Sequence, residues 1–137
     1  FGDYLGIGAG AHGKLTDAAS GTIRRRAKQR TPRAYLDHAG TPRATASTVE
    51  IASLDLPFEY MMNALRLVDG VPMNEFPQRT GLGIEAIAST LAAARKQGWI
   101  REGLEILRAT DEGQRFLNDV IAMFLPAPAD DGRRPSA

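Results

Sequence analysis

Phe58-Glu59-Tyr60-Met61-Met62-Asn63-Ala64-Leu65-Arg66-Leu67-Val68 places Phe58, Met61, Met62, Leu65 and Val68 on one face of a helix. Pro57 stands at its start and Gly70 beyond its end, the asymmetry helices favour. Toward the C-terminus, Glu75 to Arg79 predicts a short helix or turn. Gly83 then caps a third helix with Ile84, Ile87, Ala88 and Leu91 inward, Leu82 and Ile87 set as a hydrophobic staple, and Gly98 at its C-cap. Trp99-Ile100-Arg101 and Leu104-Glu105-Ile106-Leu107-Arg108 flank Glu102-Gly103, the pattern of a β-hairpin with a two-residue turn. Thr110 caps a last helix, with Asp111 and Glu112 favourable to the macrodipole and Phe116, Leu117, Val120, Ile121 and Phe124 as its inner face. Helix, short helix, helix, hairpin, helix is a winged-helix order. The expected fold is therefore mostly α with a small β component.

Toward the N-terminus the pattern weakens. Residues 41–53 are small and polar, suited to a connection between two bodies. Thr31-Pro32 predicts a helix start, with Thr as N-cap and Pro at the first helical position, carrying Ala34, Tyr35 and Leu36 before Gly40. Thr22 to Ala27 is a candidate strand interrupted by three arginines, residues 14–21 a loop, and residues 1–13 a strand running into a glycine turn. Residues 1–40 hold too few large apolar side chains to stand alone, whereas 54–125 form a self-consistent unit. The Pro-rich segment 126–137 is expected to be a flexible tail.

Composition narrows the chemistry. The 137 residues include no Cys, which removes disulfides, thiolate nucleophiles and cysteine-based zinc or iron–sulfur ligation from this stretch. Net charge is +1, so no global field points to nucleic acid. No apolar run approaches the ~20 residues a membrane helix needs, and a cytoplasmic setting is expected. Locally the charge is uneven, because Arg24, Arg25, Arg26, Lys28, Arg30 and Arg33 fall within ten positions. The chain opens at Phe1 without an initiator Met or signal-peptide pattern and is read as the tail of a longer protein.

The candidate site lies in Tyr4-Leu5-Gly6-Ile7-Gly8-Ala9-Gly10-Ala11-His12-Gly13. Gly8 to Gly13 satisfies G-x-G-x-x-G, but a dinucleotide turn must open a helix that receives the pyrophosphate, and Lys14 to Ser20 is followed at once by Gly21. Nor does an acidic residue close a second strand, since Asp37 follows Pro32 in a helical stretch. The glycines suit a tight turn or close packing, or a backbone that another ligand approaches. His12 is a candidate base or metal ligand, although the only other histidine is His38 and no carboxylate cluster supports it. The basic stripe suits carboxylates or phosphates, or a solvated edge strand. For a winged helix the DNA question arises, because its third helix enters the major groove. Here that helix, Ile84 to Gln97, carries cations only at Arg95 and Lys96, and the hairpin tip at Glu102-Gly103 is acidic. A packing module is favoured over a DNA-binding regulatory domain.

Four segments in order resemble the C-terminal part of the oxygen-independent coproporphyrinogen III oxidase-like radical SAM proteins, closest to their haem-chaperone branch, HemW. They are Tyr4 to Gly13; the Arg-rich strand leading to Pro32 and Tyr35; Phe58 to Leu67 with Phe76-Pro77-Gln78-Arg79-Thr80-Gly81-Leu82; and Thr110 to Asp119. The resemblance implies an upstream radical SAM partial barrel holding a [4Fe–4S] cluster on a C-x-x-x-C-x-x-C loop, which cleaves S-adenosylmethionine, followed by a helical cap. Residues 1–40 would end the barrel domain, 41–53 would connect, and 54–125 would form the cap. Gly6, Gly8, Ala9, Gly10, Ala11 and His12 would border the S-adenosylmethionine and porphyrin cavity. The cluster cysteines are absent here, so catalytic residues and cofactors are expected upstream, with porphyrin or haem as the parent's partner and no nucleic acid. The parent would either decarboxylate a porphyrinogen or carry haem.

Overall fold

A computed structural model of the chain describes residues 1–127; most of the tail expected over 126–137 lies outside the described residues. Two antiparallel ladders and a set of short helices build the fold. Strands β1 (His12–Thr16), β2 (Ile23–Lys28) and β3 (Thr45–Glu50) form one sheet in that order. Helix α1 (Pro32–Asp37) and a 3-10 turn at Pro42–Ala44 join β2 to β3. Then follow α2 (Leu56–Ala64), β4 (Val71–Pro72), α3 (Glu75–Thr80), α4 (Glu85–Lys96), β5 (Ile106–Leu107), α5 (Asp111–Arg115) and α6 (Leu117–Ala122). No helix among the described residues is long and apolar enough to cross a membrane.

The sheet corrects the N-terminal expectations. Strand β1 begins at His12, within the segment read as a strand ending in a turn, and continues through residues read as loop; Tyr4 contributes only a single bridge to Lys14. Segment 41–53, expected to connect, carries β3, whose register against β2 pairs Arg25 with Val49 and Arg26 with Thr48. Its run of small polar residues has no apolar alternation to announce it, and β2 supplies its ladder partners. The fold is thus mixed α and β rather than mostly α. Thr31 behaves as predicted, its hydroxyl accepting from the Ala34 N–H at 3.3 Å.

The core sits in the helical half. Tyr60, Met61, Leu65, Phe76, Ile87, Leu91, Ile100, Leu107, Val120, Ile121 and Phe124 are all buried in one cluster. Helix α2 ends at Ala64, short of the predicted length, so Val68 leaves the inner face and lies exposed. In α4, Ile87 and Leu91 point inward as expected, but Ala94 joins them while Ile84 and Ala88 are exposed. The predicted two-residue hairpin turn is wider, because Ile106-Leu107 pair with β4 and the strand ends meet only at Ile100 and Ala109.

Thr110 caps the last helical segment by accepting from Gly113 N–H at 2.9 Å, and its hydroxyl donates to the Gly98 carbonyl at 2.6 Å. That segment is divided at Phe116, whose φ of −106° and ψ of 29° interrupt the helix. Phe116 is consequently turned out of the core and stacks on Trp99, with ring centroids 6.0 Å apart.

Candidate functional site

The glycine segment is a folded turn whose glycines have separate jobs. Tyr4 and Lys14 exchange two backbone hydrogen bonds of 2.9 Å, which brings the first residues alongside β1. A Cβ on Gly6 would strike the His12 backbone, and one on Gly13 would sit 3.1 Å from Gly6 N and the Tyr4 carbonyl. Close packing of the two backbones therefore requires glycine at Gly6 and favours it at Gly13. Gly8 and Gly10 have φ of 104° and 70°, and Ala11 N–H donates to the Gly8 carbonyl at 3.3 Å, closing a turn with positive φ at its third residue.

The turn is anchored rather than open to phosphate. Gly10 N–H donates to the Gln29 carbonyl at 2.7 Å, and Gly8 N–H donates to the Tyr35 hydroxyl at 3.3 Å. With the N–H groups of Gly8, Gly10 and Ala11 engaged inside the fold, the segment lacks the convergent free donors of a pyrophosphate nest, and it leads into a strand instead of a helix. Ala9 and His12 are exposed, Ala11 is half-buried, and Ile7 is 87% exposed. Backbone and small side chains thus lie at the surface along the crest. Tyr35 is the positioning residue that motif reading left out of the site; its signal was the Thr-Pro helix start that delivers it.

Histidines 12 and 38 do not form a ligand set. Among the described residues no group of three or more His, Cys, Asp or Glu side chains could hold a metal ion. The residues present do not fit an iron–sulfur cluster, which needs cysteine thiolates the sequence lacks.

A second polar cluster lies where the sheet meets α2. Arg25 pairs with Glu59 of α2, and Glu59 is 8% exposed. Lys14, 3% exposed, sets its ammonium 2.9 Å from the centroid of the Phe1 ring. Burial pulls its pKa down to about 8, against smaller upward effects of Asp3 and Glu59. Phe1 packs on Tyr60 at 5.6 Å, and Tyr60 meets Phe76 edge-on at 5.2 Å. The Tyr60 hydroxyl is buried without a hydrogen-bond partner among the described residues, and burial pushes its pKa up to about 12. Glu59 and Tyr60 flank the predicted inner face of α2, so periodicity passed over them.

At the far end, Arg95 donates a hydrogen bond to the Gly103 carbonyl and so braces the loop between Arg101 and β5. Arg95, one of the two cations in α4, is thereby tied to that loop.

Residues 51–116 match the family described as the HemN C-terminal domain. The heme chaperone HemW of Haemophilus influenzae is 38% identical over 125 residues, which cover 91% of this chain and 31% of that protein. The heme chaperone HemW of Escherichia coli K12 is 39% identical over the same length, covering 91% and 32%. Among solved structures, coproporphyrinogen III oxidase (HemN) from Escherichia coli, described as a radical SAM enzyme, is similar with a TM-score of 0.58 and 17% identity, over 89% of this chain and 28% of that one. The chain spans about a third of the length of the curated relatives it matches. At 17% identity the structural likeness speaks for the fold alone.

Proposed function

Because the chain belongs to the HemN- and HemW-like proteins and carries their HemN C-terminal domain, we propose that it forms the C-terminal part of a radical SAM haem chaperone. In this reading residues 1–40 complete the barrel domain, 41–53 lead out of it, and 54–125 form a winged-helix-like cap over the cofactor cavity. Gly6, Gly8, Ala9, Gly10, Ala11 and His12 border that cavity. The carrying observation is that similarity to HemW runs across 91% of the chain, well beyond the residues 51–116 that match the HemN C-terminal domain.

The geometry supports a binding role for the turn. Its backbone is fixed by Tyr35 and Gln29 before any ligand arrives, so little ordering is needed on binding. A [4Fe–4S] cluster and S-adenosylmethionine, held on preceding residues, would supply the radical chemistry of such a family; these residues contribute shape and exclusion of water. The parent acts in the cytoplasm, and haem rather than nucleic acid is its partner.

Haem titration followed by absorbance tests the reading, using this chain alone and the same chain joined to the radical SAM portion of Escherichia coli HemW. A Soret shift with the joined protein, and a weaker one at equal concentration with the chain alone, is expected. No shift with the joined protein would overturn the proposal, as would DNA binding that is sequence-specific and weakens steeply with salt.

A further inference from the structure

Residues two apart on a strand share a face, and register partners share it too. Lys14, Arg25 and Val49 therefore lie on the sheet face whose Arg25 reaches Glu59 of α2, while Leu15, Arg24, Arg26 and Thr48 lie on the opposite face. On that opposite face Arg24, Arg26 and Thr48 are exposed and Leu15 is half-buried. The two guanidinium groups spring from Cα atoms about 7 Å apart along the strand. The ion pairs among the described residues are Arg25–Glu59 and Arg79–Glu75, so Arg24 and Arg26 are both without one.

Two hollows meet on this face. One, of about 250 Å³, is lined by Leu15, Arg24, Arg26 and Thr48, with Asp17 at its rim. The other, of about 40 Å³, lies between Tyr4, Leu5, Leu15, Arg26 and Lys28 and reaches Gly6 and Gly13 of the turn. Leu15 and Arg26 line both, so the two hollows are neighbours, and the smaller one adjoins Gly6 and Gly13. Asp17 turns its Oδ1 to Ala19 N–H at 2.9 Å and Ser20 N–H at 3.4 Å, and its charge makes no ion pair with Arg24 although it lies near enough to feel it. Glu50 is the register partner of Arg24 without pairing with it. Lys28 gives one hydrogen bond to Thr45 Oγ1 at 3.2 Å and retains two donors.

Two unpaired arginines on one side of an apolar strip match a ligand with carboxylates on one edge of an apolar body. A phosphate would use the arginines and leave Tyr4, Leu5 and Leu15 uncovered. We infer that this sheet face is a carboxylate-anchoring subsite for a tetrapyrrole, Arg24 and Arg26 each taking a propionate while the ring lies over Leu15 toward Tyr4 and Leu5. Arginine suits the task because its planar fork meets a carboxylate with two parallel hydrogen bonds. The ligand class rests on the haem reading above; the placement rests on the sheet geometry.

The test titrates the 137-residue chain with coproporphyrin, which carries four propionates, and with a porphyrin bearing cationic groups instead. Fluorescence anisotropy gives the affinity and amide shifts give the location. Coproporphyrin is expected to shift Leu15, Arg26 and Thr48. The double variant Arg24→Gln, Arg26→Gln should weaken its binding about tenfold. Arg33→Gln with Arg43→Gln, an equal loss of charge elsewhere, should weaken it by less than about twofold. All four arginines are exposed, so unchanged circular dichroism serves as the folding control. Absent binding, equal weakening by both double variants, equal affinity for the cationic porphyrin, or shifts mapping elsewhere would each overturn the inference. If the joined protein takes up haem while these arginines prove indifferent, the subsite alone fails; if coproporphyrin binds here and the joined protein takes up no haem, the cavity reading fails.

Discussion

The helical half and the sheet half are held together by different physics. All fourteen residues of the buried core cluster lie between Tyr60 and Phe124, whereas before Leu56 the buried hydrophobic residues are Ile23 and Ala44. Helices α2 to α6 are thus secured by apolar burial, which stabilises by roughly 25 cal/mol per Å² removed from water. The sheet is secured mainly by backbone hydrogen bonds, whose net worth is only about 1 kcal/mol each, and by its contacts with α2 through Phe1 and Arg25. Both candidate binding surfaces, the glycine turn and the arginine face, lie on the thinly buried half. A stable body therefore carries a more pliable binding edge.

The sharpest way to break this contrast is to truncate one apolar side chain in each half. Phe76 is fully buried, and Phe76→Ala should cost about 3–5 kcal/mol, whereas Leu5→Ala, at a residue 72% exposed, should stay within about 0.5 kcal/mol in urea unfolding. Similar losses at both sites would mean that the two halves share one core. Limited proteolysis should cut first within residues 1–53, leaving 54–125 resistant; initial cuts inside α4 or α6 would reverse that ranking.

Glu59→Gln probes the joint between halves. It removes the carboxylate from Arg25, whose side chain is 37% exposed, and should cost about 1 kcal/mol and hasten cleavage of the sheet half more than of the helical half. Uniform acceleration would show that the pair supports general stability rather than the joint. Lys14 is probed by pH rather than by a fixed loss of stability. Because burial lowers its folded pKa from 10.5 to about 8, the unfolded chain holds the proton more tightly, and stability should rise as pH climbs from about 8 toward 10.5. Lys14→Met should flatten that rise, and identical slopes in both proteins would exclude the linkage.

Local chemistry announced itself where one residue type had one reason to be present. Thr31-Pro32 and Thr110 start helices as their capping chemistry demands, and Gly98, at φ 74°, follows the end of α4. The glycine turn was visible as a turn for the same reason. Strand β3 was invisible because Thr45-Ala46-Ser47-Thr48-Val49-Glu50 has no buried face of its own. Tyr60 was passed over because the inner face of α2, which holds Leu56, Tyr60, Met61 and Ala64, is rotated from the one that Phe58 and Met62 suggested. The break at Phe116 likewise goes with a long-range contact, its stacking on Trp99, a partner seventeen positions away.

The sequence by itself determined that the helices exist, the caps at Thr31 and Thr110, the glycine turn and the absence of thiol chemistry, since each depends on neighbours within a few residues or on composition alone. Tertiary structure decided which arginines are paired. Arg24, Arg25 and Arg26 are chemically identical in the chain, and strand alternation sends Arg25 to Glu59 while turning Arg24 and Arg26 to the open face. Their different fates come from a register and a long-range pairing that no local pattern encodes.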